Sequence, residues 1–239
     1  MVGMRPKLYS GILWLLAGVV YLSAEAITAS AYPGYSYATN YISDLGVPGV
    51  GTFQGRFIDS PLNPVMNTAY VLHGVLFVAA ALLAARSADV AAASPRLRRW
   101  FVGAAIVHGV GIALVGVFHG SQANADNGLI VLHILGAVMA IVGGNAAAIL
   151  AGAAFLRSHT HRGFGMVSLA LGIIGLVSLV MLEVDSSSAT IDLLPDGVWE
   201  RGSVYSILVW ELVAGAATLI GLRRSRRSDR EPEAAEVAA

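Results

Sequence analysis

The 239-residue chain contains no cysteine. That excludes disulfides, thiolate metal sites and a cysteine nucleophile, and it leaves the redox compartment unread. Charge is the second scarcity. Only 13% of residues are Asp, Glu, Lys or Arg, about half the share carried by soluble domains. So few charges cannot coat a globule of this length with polar surface. The Gly-x-Ser-x-Gly and His-Glu-x-x-His patterns are both missing, so these two hydrolase signatures supply no nucleophile or metal base. The glycines sit within apolar stretches and no Lys-Ser/Thr follows them, which removes a nucleotide-binding phosphate loop.

What the chain has is hydrocarbon. Hydrophobic residues make up 56% and the mean hydropathy is +0.70. They fall in blocks near 8–31, 64–86, 100–119, 128–156, 163–183 and 203–222. A bilayer core needs about 20 apolar helical residues per crossing, and backbone polar groups inside it must be paired internally. The blocks therefore predict an all-α integral membrane bundle of six transmembrane helices, forming one domain over residues 1–222. Gly and Ala recur in these blocks and allow close helix approach.

The net charge is zero, yet the basic residues are strongly asymmetric. Six crossings put Arg5, Lys7, Arg86, Arg96, Arg98, Arg99, Arg157, Arg162, Arg223, Arg224, Arg226, Arg227 and Arg230 on one side. Arg56 and Arg201 alone fall on the other. The positive-inside rule makes the basic side, and both termini, cytoplasmic. The arginine clusters can also contact anionic lipid. This points to the plasma membrane as the location. They flank spans, so nucleic acid is not an expected partner. Residues 223–239 read as a charged, disordered tail. Arg5 and Lys7, then Ile12 to Leu22, then Ala29-Ser30-Ala31 also fit a cleaved signal peptide, which would leave five helices. The outer side has a long first loop (32–63), a short second one (120–127) and an acidic third one (184–202) with Asp185, Asp192, Asp196 and Glu200.

Intramembrane polar residues carry the functional signal, because a charge in hydrocarbon costs about 2.5–3.5 kcal/mol even on insertion scales. Glu25, Glu183 and Glu211 are acidic residues in or at the ends of spans, Glu183 at the outer interface. His73, His108, His119 and His133 lie in or beside spans. His108 and His119 share a helix face but stand about 16 Å apart, too far to share a metal. His119 and His133 sit near the outer boundary on neighbouring helices, and with Asp44 they offer the His/His/carboxylate set used by zinc. Interhelical packing is the simpler account of these histidines, and no cofactor is expected. Arg201 is read as pairing with Glu200, Glu183 or a lipid phosphate.

The first outer loop holds the densest polar text: Asn40-Tyr41-Ile42-Ser43-Asp44-Leu45-Gly46, then Asp59-Ser60-Pro61-Leu62-Asn63-Pro64. Asn63 can cap a helix that Pro64 begins. Ser43 and Asp44 can cap a short re-entrant turn that folds Asp44 over the bundle mouth. Asn40 to Gly46, the Ser-Pro-x-Asn element from Ser60 to Asn63 and a histidine in the second helix together resemble a bacterial membrane family catalogued as domain of unknown function 998. A more distant similarity is to the eukaryotic DRAM-type six-helix family, whose members are linked to membrane lipid organisation and autophagy. The resemblance covers roughly residues 10–222. It implies the six-helix architecture and importance for Ser43 and Asp44, and it brings no reaction with it.

Glu25, His73, His119, His133 and Glu211 all fall in the outer half, below Asp44, and helices 2, 4 and 6 begin on that side with anion-friendly N-termini. The reading adopted is a non-enzymatic membrane protein that binds or organises lipid or a small solute. Its outward-facing polar cavity is built from Asn40, Ser43, Asp44, Asn63, His73, His119, His133, Glu25, Glu211 and Arg201. Two alternatives stand beside it. One is an intramembrane hydrolase or transferase using Ser43, Asp44, His119 and His133, possible with a metal. The other is a proton-coupled carrier using Glu25, Glu211 and the histidines as a relay.

Overall fold

A computed structural model describes residues 4–86, 94–159, 161–188, 190 and 193–237. Asp192 of the third loop lies outside them, as do the side chains of Arg226, Arg227 and Arg230.

Six long apolar helices form: α1 (Met4–Ala31), α2 (Asn63–Ala84), α3 (Pro95–Val117), α5 (Ile130–Arg157), α6 (Arg162–Ser187) and α7 (Asp196–Val237), with the short α4 (Gln122–Asp126) between α3 and α5. Each of the six is long and apolar enough to cross a membrane. They close into a ring in which α1 contacts α2, α2 contacts α3, α3 contacts α5, α5 contacts α6, α6 contacts α7, and α7 returns to α1. The exterior is hydrocarbon. Val75 is 61% exposed, Val131 63% and Val180 59%, a surface that suits lipid and not water. This is the all-α six-span membrane bundle that composition predicts.

Close approach depends on glycine at two contacts. A Cβ added at Gly74 would stand 2.6 Å from the Gly109 carbonyl oxygen, and one at Gly111 would stand 2.6 Å from the Gly136 carbonyl oxygen. Without side chains there, α2 meets α3 and α3 meets α5 backbone to backbone, where dispersion and lipid release drive association. Inside the ring, Trp14, Phe77 and Trp210 interlock edge to face, with ring centroids 4.8 and 4.9 Å from Trp14.

Several boundaries differ from the sequence expectation for local reasons. Helix α3 begins at Pro95, five residues before the expected start. Ser94 caps it by accepting from the Leu97 N–H at 3.3 Å, and proline suits the first turn. It also ends at Val117, which leaves His119 outside the helix. The third loop shrinks to residues 188–195, because Asp185 and Asp196 are both helical. There the Asp185 carboxylate accepts from Leu193 N–H, Leu194 N–H and Trp199 Nε1–H and ties the end of α6 to the start of α7. Helix α7 continues through Val237, where a disordered tail is expected after residue 222; alanine, glutamate and arginine are strong helix formers.

The first loop is not simply irregular. It contains a 3-10 turn (Ile42–Gly46) and a hairpin of β1 (Val50–Phe53) with β2 (Arg56–Asp59), paired Val50 to Asp59 and Phe53 to Arg56. The two linking residues, Gln54 and Gly55, both have positive φ, 48° and 76°. That is the conformation whose twist matches paired antiparallel strands.

Candidate functional site

The Asn40 to Gly46 segment enters the arginine-poor end of the ring as a buried 3-10 turn. Ile42, Asp44, Leu45 and Gly46 are all buried. A turn pushed into an apolar core must have its backbone groups satisfied, and four side chains do this. The Glu200 carboxylate accepts from the Ile42 N–H at 2.5 Å. Tyr70 donates its hydroxyl to the Ile42 carbonyl at 2.9 Å. Ser60 donates to the Leu45 carbonyl at 2.6 Å, and Asn67 donates to the Gly46 carbonyl at 2.8 Å. Glycine is required at 46, since a Cβ there would collide with the Asn67 side chain.

Two arginines clamp this turn. The Arg56 guanidinium reaches both oxygens of Asp44, at 2.9 and 3.3 Å, and lies 4.2 Å from the Tyr41 ring centroid. Asp44 also accepts from the Asn40 side-chain amide at 3.2 Å and the Tyr41 N–H at 3.1 Å. On the other side, Arg201 donates to the carbonyls of Tyr37, Asn40 and Gly197 at 2.6, 2.9 and 3.1 Å, to the Tyr35 hydroxyl, and to Glu25 at 3.2 Å. Tyr205 adds a hydroxyl to the same Glu25 oxygen at 3.0 Å. Asn40 joins the two clamps, with its side chain on Asp44 and its carbonyl on Arg201. The two arginines of the sparse side are thus committed to the loop. Arg201 is 7% exposed and pairs with Glu25, which corrects the expected pairing with Glu200, Glu183 or a lipid phosphate.

Below the turn lies a third polar group. His73 on α2 places Nε2 2.8 Å from Oε1 of Glu211 on α7, and both side chains are fully buried. The His108 ring on α3 stands 5.2 Å from that of His73, nearly perpendicular to it. Its Nδ1 lies 2.7 Å from the Ala140 carbonyl.

The remaining expected residues separate. His119 faces α2, where its Nε2 accepts from the Asn67 amide at 3.1 Å. Burial holds its imidazole below the ordinary value of 6.5. His133 instead turns its Nδ1 to the Phe118 carbonyl at 2.7 Å. Among the described residues, the metal-type ligand atoms that gather belong to His73, His108 and Glu211, not to His119, His133 and Asp44. The unwound end of α3 is the reason: it sends the two imidazoles to different partners. Asn63 does not cap α2. It is the first helical residue, and its amide donates to the Ser60 carbonyl at 2.8 Å.

Two neighbouring spaces flank the turn. The outer one has a volume of about 320 Å³. Its polar wall holds Tyr41, Ser43, Asp44, Arg56, His133 and Glu183, and its apolar wall holds Ile134, Val138, Leu179 and Leu182. Ile134 and Val138 are 55% and 44% exposed on the ring's exterior, so this space meets the surface between α5 and α6. The inner one, about 50 Å³, is lined by His73, His108, Tyr21 and Tyr70. Ser43, Glu200, Ala137 and Ile141 border both. The expected cavity therefore left out Arg56, Asn67, His108 and Glu200. His108 had a legible signal: counted from the arginine-poor ends of two antiparallel neighbours, it stands at the depth of His73.

No curated protein and no solved structure matches the chain. Residues 15–217 match a family described as "Protein of unknown function (DUF998)". A multi-pass helical architecture and a match over most of its length agree with the resemblance carried by the Asn40 to Gly46 segment, and the chain belongs to that family.

Proposed function

We propose that this membrane protein binds an amphiphile in the outer cavity, with the polar head under the loop 1 turn and the hydrocarbon against α5 and α6. The observation that carries this reading is the division of one cavity of about 320 Å³ into a polar and an apolar wall, with the apolar wall continuing onto the bundle's lipid-facing surface. The volume lies within the range of about 300–1,000 Å³ usual for small-ligand sites.

The wall chemistry speaks to the head. Asp44, Glu183 and Glu200 line the cavity beside a single cation, Arg56, already paired with Asp44. Carboxyl groups outnumber cations, so the site favours an amine-bearing or uncharged head over an anionic one. This departs from the phosphate-holding site expected from helix N-termini and Arg201. Glu25, a candidate relay group, accepts from Arg201 and Tyr205 through one oxygen.

Native mass spectrometry of the full chain released from nanodiscs tests the reading. Equal amounts of phosphatidylethanolamine and phosphatidylglycerol are supplied. Preferential retention of the ethanolamine lipid by about fivefold, the upper range of one exposed charge pair, and its reduction in Glu183→Gln and Ile134→Asp are expected. Equal retention of both lipids, unchanged by both substitutions, would reject the cavity as the binding site.

A further inference from the structure

We propose that His73, His108 and Glu211 form a binding site for one divalent transition-metal ion of the zinc class, with an open coordination position toward the inner cavity. The inference is independent of the amphiphile reading, which uses none of these three residues.

The three ligands come from α2, α3 and α7, and one donor atom from each lies within 4.8 Å of the others. Zinc held at about 2.0–2.2 Å in a tetrahedral site has ligand atoms about 3.3–3.5 Å apart. The ion would draw the donor atoms together by about an ångström.

The imidazoles are set for coordination. A carbonyl only accepts, so the His108 Nδ1 beside Ala140 carries the proton and leaves a lone pair on Nε2. That Nε2 is buried and has no hydrogen-bond partner, as are Nδ1 of His73 and Oε2 of Glu211. Each of the three residues thus keeps one buried polar atom without a partner, at a place where one donor atom from each lies within 4.8 Å of the others. A metal-bound histidine usually gives its other ring N–H to a carbonyl or carboxylate, and the Ala140 carbonyl stands in that place for His108. For His73, Glu211 occupies that place in the structure, and a bound ion would draw both groups to itself.

Charge and donor type narrow the ion. The ion-pair partner of Glu211 among the described residues is His73, so an ionised Glu211 would need its charge compensated in the dry interior. A divalent ion supplies that compensation while keeping both imidazoles neutral. Two nitrogens and one carboxylate suit zinc, cobalt or iron. Calcium and magnesium prefer all-oxygen shells, and copper(I) prefers sulfur. Three protein ligands leave a fourth position, and the adjoining space of about 50 Å³ is lined by both histidines. One water needs only about 10–15 Å³ of such volume, so a metal-bound water fits there.

The test uses full-length protein in detergent, stripped with a chelator and then dialysed against zinc or cobalt(II). About one zinc per monodisperse chain and the visible absorption of four-coordinate cobalt are expected. His108→Ala and Glu211→Gln should weaken binding at least tenfold. His119→Ala/His133→Ala and the surface variant His159→Ala/His161→Ala should leave it unchanged. Should the core variants fail to fold, the zinc content of the His119→Ala/His133→Ala and His159→Ala/His161→Ala proteins decides, since a core site keeps about one zinc per chain in both. Absence of zinc and cobalt from well-folded wild type would overturn the proposal. So would full retention by His108→Ala and Glu211→Gln, or loss in the His119→Ala/His133→Ala protein.

Discussion

Nε2 of His73 and Oε1 of Glu211 meet at 2.8 Å although 138 positions separate them, and the contact joins α2 to α7 across the interior of the ring. Truncating one member strands the other in hydrocarbon. His73→Leu is therefore expected to lower the stability of the detergent-solubilised protein by about 3 kcal/mol, the scale of a broken buried pair. The double variant His73→Leu/Glu211→Leu should recover most of that loss. Midpoints of unfolding followed by size-exclusion chromatography after heating measure both. A double variant no more stable than the single one would mean that the pair is not coupled.

Asp44 and Arg56 predict the behaviour of loop 1. Arg56→Ala removes two charge-assisted bonds and leaves the buried Asp44 with only the Asn40 and Tyr41 donors. A loss of about 1–3 kcal/mol is expected, seen locally as faster proteolysis near Gly49 to Gly55. Arg56→Lys should rescue only part of it, because lysine cannot span both oxygens. Equal protection of wild type and Arg56→Ala from protease would contradict the clamp.

Arg201 predicts a larger effect, because its guanidinium serves five acceptors on α1, loop 1 and α7. Arg201→Gln should destabilise by about 3–5 kcal/mol. Arg201→Gln/Glu25→Gln should be less damaging than the single change, since it removes the carboxylate left alone. The ordering of the two unfolding midpoints is the measurement.

Gly111 tests helix approach without touching a polar group. A Cβ at this position would stand 2.6 Å from the Gly136 carbonyl oxygen, a separation that forces the backbones of α3 and α5 apart. Gly111→Val should cost about 1–3 kcal/mol as overpacking, while Gly221→Ala, where nothing lies within 4 Å, should be tolerated. Comparable thermal midpoints for the two variants would count against backbone contact between α3 and α5.

Acid should loosen the contact between Asn67 and His119. Burial holds the folded imidazole below 6.5, so the unfolded chain takes up the proton first. The associated stability is present above that value and is lost as pH falls through the lower, folded one. The protection of amides at the end of α3, taken relative to their intrinsic exchange rate at each pH, should fall on acidification, and His119→Gln should flatten that dependence. An identical pH profile in His119→Gln would assign the effect to another group.

Much of this architecture is legible along the chain because its cause is local. A run of about 20 apolar residues has no stable choice in lipid except a helix, and the arginine distribution gives the expected sidedness from counting alone. The boundaries that moved also have local signs, such as Ser94 before Pro95, that an apolar-run count overrides. The short Ser43-Asp44-Leu45-Gly46 element was legible as a turn, since Asp and Gly favour that backbone.

Partner choice was not legible, because it depends on which helices become neighbours and on the rotation of each. Arg201 faces inward to Glu25, and His108 joins His73, through the order of the ring and the close glycine contacts that set its radius. A one-residue rotation of α3 is about 100° and would send His108 to lipid with no change in composition or hydropathy. Spans, the turn and the scarcity of arginines at one end of the bundle thus follow from the residues in order. The two clamps, the buried triad and the two cavities exist because distant side chains share one dry interior, where a polar group must find a partner or bear the cost of having none.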